Sequence, residues 1–151
     1  EIDDSNLIVQ WRSAGGEIQH EASRSINMTA FKTIEQNFPD IPKGSPIISW
    51  KWTKCSGELI DKGHVLTSKP STIRWPNAHI DIAQTGDELI ISSDSIAYGV
   101  RLQSTADGRF SENGFLLLPG KENARKVRFF PSTKASSAPH SFWTEHLAEF
   151  Q

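Results

Sequence analysis

Apolar residues alternate with polar ones along several short stretches of this chain, as they do in half-buried β-strands. In the first half, the alternation is clearest over residues 7–11 and 48–52. In the second half, it recurs at short intervals: Ile80 with Ile82, Leu89 with Ile91, Tyr98 with Val100 and Leu102, Phe115 with Leu117, and Val127 with Phe129. Short strands separated by turn residues at this spacing predict an all-β chain built as a β-sandwich.

The segment from Thr67 to Pro76 interrupts this pattern, because it is polar, contains two prolines and shows no alternation. Such a segment is typical of a connection between domains. We therefore predict two domains, residues 1–70 and 71–151, with the boundary near Pro70. The first contains only about four predicted strands, against the ~7 of an immunoglobulin-type sandwich, and is interpreted as the C-terminal part of a sandwich whose start is missing. A single domain with an unusual number of strands is the alternative.

Charge and cysteine content narrow the possible partners. The chain carries 16 basic and 18 acidic residues, interspersed, for a net charge of −2, so neither nucleic acid nor a membrane surface is an expected partner. No apolar run approaches the ~20 residues that cross a bilayer. The single cysteine, Cys55, cannot form a disulfide within the chain and is predicted to be a small buried apolar residue.

Candidate acids for catalysis lie in turns or on strand surfaces. They are Asp81, Asp87, Glu88, Asp94, Glu112 and Glu122. Hydrolysis by paired carboxylates needs two of them, on either side of the scissile bond, and nothing in the sequence pairs two of these. We interpret them as solvated turn residues, and Glu112 as an acceptor of backbone hydrogen bonds in its turn. The histidines lack metal-ligand spacing and no phosphate-binding glycine loop occurs, so we predict no catalytic residue, no metal and no cofactor in this chain.

Asn27, Met28 and Thr29 form an N-x-T tripeptide, the acceptor sequence for N-linked glycosylation. The tripeptide matters only if the chain passes through a secretory pathway, and such tripeptides also occur by chance in polar strands. Asn27 is therefore a candidate glycosylation site, with chance as the alternative.

The segment Gly108 to Phe115, with the sequence GRFSENGF, is followed by Leu118-Pro119-Gly120. It resembles the last immunoglobulin-like domain of β-mannosidases of glycoside hydrolase family 2, in which a G-R-F-S-(D/E)-N-G/Y-F segment precedes hydrophobic residues and a closing strand. Supporting similarity lies at residues 63–68, 80–82 and 100–102, and in a terminal strand formed by residues 141–144 with Leu147. The resemblance extends from about residue 58 to the end.

The resemblance implies an immunoglobulin-like β-sandwich, with one complete domain preceded by the back half of another. It also implies that the chain is the C-terminal, non-catalytic part of a retaining β-mannosidase, which hydrolyses terminal non-reducing β-D-mannose residues. The family's two catalytic glutamates belong to a (β/α)₈ barrel that these residues do not contain, so no catalytic position is carried over. The implied partner is the N-terminal catalytic portion of the same enzyme, either continuous or a separate chain after cleavage. The β-mannoside substrate would bind elsewhere, and the implied location is secreted or lysosomal.

The alternative function is a free-standing β-sandwich that binds carbohydrate through surface aromatics, without catalysis. Two or three coplanar tryptophan rings on one solvent face would support it, and the candidates are Trp50, Trp52, Trp75 and Trp143. Buried rings would support the structural role instead, in which Trp11, Trp50 and Trp52 meet strands of a preceding segment. An adhesion domain of the immunoglobulin class rests on analogy of fold alone and ranks last.

Overall fold

The structure is a computed structural model that describes residues 2–28, 37–38, 42–132, 141–146 and 148. The chain is all-β, as predicted, with antiparallel sheets and two short 3-10 turns at Pro70–Thr72 and Lys121–Asn123. It divides into two compact units, Glu1–Ile73 and Arg74–Gln151. No helix in the described part of the chain is long and apolar enough to cross a membrane.

The first unit contains four strands: β1 (Ile2–Arg12), β2 (Ile18–Met28), β3 (Ile47–Lys54) and β4 (Leu59–Leu66). They form one antiparallel sheet in the order β2-β1-β3-β4. The predicted turn at residues 14–16 connects β1 to β2, and residues 55–58 connect β3 to β4. The two alternating stretches of the sequence, residues 7–11 and 48–52, therefore lie side by side in the middle of this sheet.

The register of the first sheet sets Leu7 opposite Trp52, Val9 opposite Trp50 and Trp11 opposite Ile48. Because residues directly opposite each other share a face, these six side chains form one apolar surface, here called the tryptophan face. Val9 and Trp11 are buried on it, whereas Trp50 and Trp52 are only half-buried.

The opposite face of the first sheet holds buried residues that the alternation did not predict. Ile47 and Ser49, which lie between the apolar positions of β3, are 0% and 4% exposed. The buried Arg12 side chain explains the burial of a serine, because its Nε donates to Ser49 Oγ at 3.0 Å and its Nη1 donates to the Gly16 carbonyl at 2.8 Å. A buried guanidinium that is hydrogen-bonded in this way avoids the full cost of desolvation.

The second unit contains seven strands: β5 (Ile80–Thr85), β6 (Glu88–Ser93), β7 (Ala97–Ser104), β8 (Gly108–Phe110), β9 (Phe115–Leu117), β10 (Arg125–Pro131) and β11 (Phe142–Glu145). They form a four-stranded sheet in the order β5-β6-β10-β8 and a three-stranded sheet in the order β11-β7-β9. The predicted terminal strand is β11, and Leu147, which was expected to accompany it, lies outside the described residues.

Both sheets of the second unit contribute to one hydrophobic core. Its buried members are Leu89, Ile91, Ala97, Val100, Leu102, Phe115, Leu117 and Val127. The rings of Phe110, Phe129 and Phe142 pack against one another at centroid distances of 5.1 to 6.1 Å. Two antiparallel sheets that enclose such a core make the immunoglobulin-like β-sandwich that was predicted.

The prediction that Cys55 is buried is wrong, since Cys55 is exposed. It lies in the turn between β3 and β4, where the Lys54 amide donates to the Glu58 carbonyl at 2.8 Å and closes the hairpin. The other residues of the turn, 56–58, are exposed as well. Position in a hairpin turn, and not the apolar character of the thiol, therefore decides the exposure of this residue.

Candidate functional site

The GRFSENGF segment lies where the two sheets of the second unit meet. Its first three residues form β8, which pairs with the end of β10, so that Arg109 lies opposite Phe130 and Phe110 opposite Phe129. Gly108 is required there, because a Cβ at this position would overlap the Phe129 ring and the Phe130 carbonyl. The segment thus begins with a close approach of backbone to an aromatic core.

The polar residues of this segment form hydrogen bonds to the backbone of neighbouring strands. Ser111 bonds Arg128 twice, through its own amide to the Arg128 carbonyl (2.8 Å) and through its Oγ, which accepts from the Arg128 amide (2.9 Å). Asn113 Oδ1 accepts from the Leu102 amide at 2.7 Å, and its Nδ2 donates to the Leu102 carbonyl at 3.2 Å. Gly114 then adopts a φ of +72°, which favours glycine, and its amide donates to the Val100 carbonyl.

The prediction that Glu112 accepts backbone hydrogen bonds in its turn is wrong. Among the described residues, Asn113 fills that role. The Glu112 carboxylate instead accepts from Arg125 Nη1 at 3.1 Å. The Arg125 guanidinium also lies 5.5 Å from the centre of the Phe115 ring. Glu112 therefore holds an arginine that covers the edge of the core, which is a structural use of its charge.

The remaining candidate acids have structural neighbours or lie in solvent. Glu88 pairs with Lys126 at 3.0 Å, Asp94 Oδ1 accepts from the His79 amide at 2.9 Å, and Asp81 lies 3.4 Å from His79 Nε2. Asp87 and Glu122 are exposed. Among the described residues, no group of three or more His, Cys, Asp or Glu side chains could hold a metal ion. Glu88, Asp94 and Asp81 therefore have contacts within the fold, whereas Asp87 and Glu122 lie at the surface.

The tryptophan face of the first unit is the second candidate site. Trp52 Nε1 donates to Ser5 Oγ at 2.8 Å, and Ser5 Oγ donates to the Ile26 carbonyl at 2.8 Å. Trp50 Nε1 donates to Asp61 Oδ2 at 3.1 Å, and the Trp50 ring lies so close to Gly63 that a Cβ there would overlap it. Both indoles are therefore fixed along the sheet surface, with apolar area still open to solvent.

Trp11, at the end of the tryptophan face, is 2% exposed and is covered from within the first unit. Its ring lies 5.1 Å from the His20 ring and 5.9 Å from the Phe38 ring. Its Nε1 is buried without a hydrogen-bond partner in the described part of the chain.

The tryptophans named for a carbohydrate-binding surface do not form one exposed group. Trp75 is 4% exposed and stacks on Tyr98, with the ring centres 4.7 Å apart and the planes at 9°. Trp143, on β11, is 44% exposed. Since Trp50 and Trp52 are half-buried, only Trp143 of the four presents a largely open ring. This distribution favours a packing role for these aromatics over a flat sugar-binding platform.

Asn27, the candidate glycosylation site, lies in β2, which is an edge strand of the first sheet, and is exposed. Thr29, the third residue of its tripeptide, lies outside the described residues.

The second unit has two sheets around a shared core. Comparison with known proteins identifies it as a glycosidase-associated immunoglobulin-like domain. Residues 69–150 match the family described as Ig_mannosidase, Ig-fold domain. Because this match covers more than half of the chain, the chain belongs to that family. A comparison of the sequence with curated proteins found no match.

Solved structures similar to this chain include two of the exo-chitosanase CsxA from Amycolatopsis orientalis, one of them a variant in complex with PNP-beta-D-glucosamine. Each matches with a TM-score of 0.55 and 10% sequence identity, over 96% of this chain. At this identity the likeness concerns the fold alone. The chain spans 23% of the length of these structures.

Proposed function

We propose that the chain is the C-terminal, non-catalytic part of a retaining β-mannosidase of glycoside hydrolase family 2, which hydrolyses terminal non-reducing β-D-mannose residues. The observation that carries the proposal is the match of residues 69–150 to the mannosidase immunoglobulin-fold family. The structural use of Ser111, Glu112 and Asn113 supports a non-catalytic role, because these side chains are engaged with Arg128, Arg125 and Leu102. We assign both catalytic carboxylates to a companion portion of the enzyme.

The proposed partner is that N-terminal catalytic portion, continuous with this chain or separated from it by cleavage. The partner would cover the tryptophan face, on which Trp50 and Trp52 keep apolar area open to solvent. Sheets of a sandwich pack face to face about 10 Å apart, and the described part of the first unit supplies one sheet.

We further propose that the protein is secreted or lysosomal and carries a glycan on Asn27. The exposure of Asn27 on an edge strand supports access for the modifying enzyme. Treatment of native material with peptide N-glycosidase should lower its mass and convert Asn27 to Asp. An unmodified tryptic peptide that contains Asn27, from secreted material, would contradict this part of the proposal.

Native and denaturing mass measurements on the same material, with an assay of the same fractions, test the main proposal. We expect these residues to be found with a much larger catalytic portion, in fractions that release mannose from p-nitrophenyl β-D-mannoside. Activity on p-nitrophenyl β-D-glucosaminide, without activity on the mannoside, would retain the glycosidase assignment and overturn the mannosidase one. If the chain is folded, monodisperse and alone, the enzyme proposal fails for this molecule.

The alternative, a carbohydrate-binding module without catalysis, keeps one supporting observation, the exposed ring of Trp143. Titration with neutral mannan oligosaccharides should produce no change in tryptophan fluorescence if the packing role is correct. Saturable binding that is lost in Trp143→Ala and kept in Trp75→Phe would favour the module.

A further inference from the structure

The outer surface of β8 and β10 carries an exposed phenylalanine between two arginines. Phe130 is 38% exposed, and the guanidinium carbons of Arg109 and Arg128 lie 5.0 and 5.9 Å from the centre of its ring. Arg109 lies directly across from Phe130 in the β8–β10 register, and Arg128 precedes it by two residues on the same face. These three residues are here called the arginine platform.

The two guanidinium groups of the arginine platform lack a carboxylate partner among the residues that the structure describes. Lys126, the next basic residue along the same face of β10, differs because it is paired with Glu88 at 3.0 Å. Like charges held close together on a sheet surface repel each other, and this repulsion is relieved when an anion binds between them. Glu88 lies directly opposite Arg128 in the β6–β10 register, but its carboxylate pairs with Lys126. The positive charge of the platform is therefore only partly offset on this face.

We propose that the arginine platform binds the carboxylate groups of an acidic oligosaccharide, such as a uronic-acid polymer. The two guanidinium groups lie over the Phe130 ring, and no hydrogen-bond acceptor for them lies among the residues that the structure describes. The planar fork of arginine fits a carboxylate in a bidentate manner. Fixing the side chains in advance reduces the entropy lost on binding. The inference does not depend on the catalytic proposal.

The small apolar area of this face favours a glycan over a protein partner. The exposed large apolar side chains of this face are Phe130 and Ile90, each 38% exposed. A stable protein interface buries roughly 800 Å² on each partner around an apolar centre, which these two side chains do not provide. An extended acidic polymer can bind through only one or two charged contacts at a time, and its repeated carboxylates raise the overall affinity.

Calorimetric titration of the intact protein with oligogalacturonate tests the proposal, with neutral mannan oligosaccharide and poly-glutamate as comparison ligands. We expect binding to oligogalacturonate that weakens as salt is raised, no binding to the mannan, and weaker binding to poly-glutamate. Absence of binding to oligogalacturonate at low salt would overturn the proposal. Equal or tighter binding to poly-glutamate would also overturn it and would identify an acidic protein segment as the occupant.

Three double variants distinguish binding at the arginine platform from non-specific attraction to basic residues elsewhere on the protein. Arg109→Ala with Arg128→Ala should weaken binding roughly tenfold or more, since each lost contact is a hydrogen bond between charged groups. Arg109→Lys with Arg128→Lys should also weaken it several-fold, because lysine keeps the charge and lacks the fork. Lys51→Ala with Lys62→Ala removes an exposed basic pair of the same charge from β3 and β4 and should leave binding unchanged. An equal loss in this last variant, with all melting temperatures unaltered, would sink the proposal.

Discussion

The side chain of Asn113 takes the place of a strand residue opposite Leu102. Strand β9 pairs with β7 only at Ala97 and Val100, so the backbone of Leu102 lies beyond the end of β9 on that side. The Asn113 amide fills the gap with one acceptor and one donor, at 2.7 and 3.2 Å from the Leu102 amide and carbonyl. An asparagine at this point of the turn thereby completes the hydrogen bonding of a residue that is 2% exposed.

Replacement of Asn113 by alanine should destabilise the protein by about 1–3 kcal/mol, because it removes the side-chain partner of both the backbone N–H and the backbone carbonyl of the buried Leu102. Urea unfolding followed by tryptophan fluorescence measures the change. The matched control is Asn123→Ala, which removes a hydrogen bond to the Pro119 carbonyl in a loop. The control should cost less than Asn113→Ala, and equal costs would contradict the strand-replacement role.

Replacement of Glu112 by glutamine should change stability by less than about 1 kcal/mol, because the Glu112–Arg125 pair is more than a third exposed and is screened by solvent. If the protein is the proposed glycosidase, the same substitution should leave its kcat unchanged, since the carboxylate holds a surface arginine. Glu122→Gln, at an exposed position of the following loop, is the control. A fall in kcat of several orders of magnitude in Glu112→Gln alone would assign Glu112 to catalysis.

The alternation of apolar residues predicted most strands because period-two burial depends only on the sequence near each residue. Phe115 with Leu117 and Val127 with Phe129 point to the core for this reason, and all four are buried. The same local pattern could not predict Ile47 and Ser49. Ser49 is hydrogen-bonded by Arg12, which lies 37 residues away in sequence, and Ile47 lies directly opposite Arg12. Both contacts exist only because β1 pairs with β3.

The roles of the turn residues also could not be predicted from the sequence, because they depend on how the neighbouring strands pair. Glu112 and Asn113 are adjacent polar residues in one turn, and either could bond the backbone of a nearby strand. The end of β9 leaves the Leu102 backbone beside Asn113. Arg125, at the start of β10, lies beside Glu112. The position of Cys55 was missed for a similar reason, since its apolar character says nothing of the hairpin turn in which it lies.

Replacement of Ser5 by alanine should destabilise the first unit by about 1–3 kcal/mol. The hydroxyl of Ser5, which is 1% exposed, accepts from Trp52 Nε1 and donates to the Ile26 carbonyl, so its loss removes a hydrogen bond from each of these two groups. Ser23→Ala is the matched control, because Ser23 is exposed and bonds only the Asn6 side chain. Thermal unfolding should show a lower Tm for Ser5→Ala alone, and comparable shifts in both variants would contradict the bridging role.

Replacement of Gly63 by alanine should displace the Trp50 indole from the surface of β4. Trp50 and Gly63 lie opposite each other across β3 and β4, and a Cβ on Gly63 would overlap the six-membered part of the indole. The Trp50 ring would have to move away from β4, and this movement would break the hydrogen bond from its Nε1 to Asp61 Oδ2. Overpacking of this kind costs about 1–3 kcal/mol, reduced to the extent that a half-buried ring can swing toward solvent.

The position of the Trp50 indole N–H signal in a two-dimensional NMR spectrum measures this displacement directly, because the chain has only five tryptophans and Trp50→Phe assigns the signal. Gly15→Ala is the control, since a Cβ there meets only Ser13 Oγ at 3.6 Å, an ordinary contact distance. We expect the Trp50 signal to move in Gly63→Ala and to stay in Gly15→Ala. An unmoved signal with unchanged stability in Gly63→Ala would mean that the indole does not lie on Gly63. Trp50 would then be free to face a partner in another orientation, and the proposal for how the tryptophan face is covered would have to change with it.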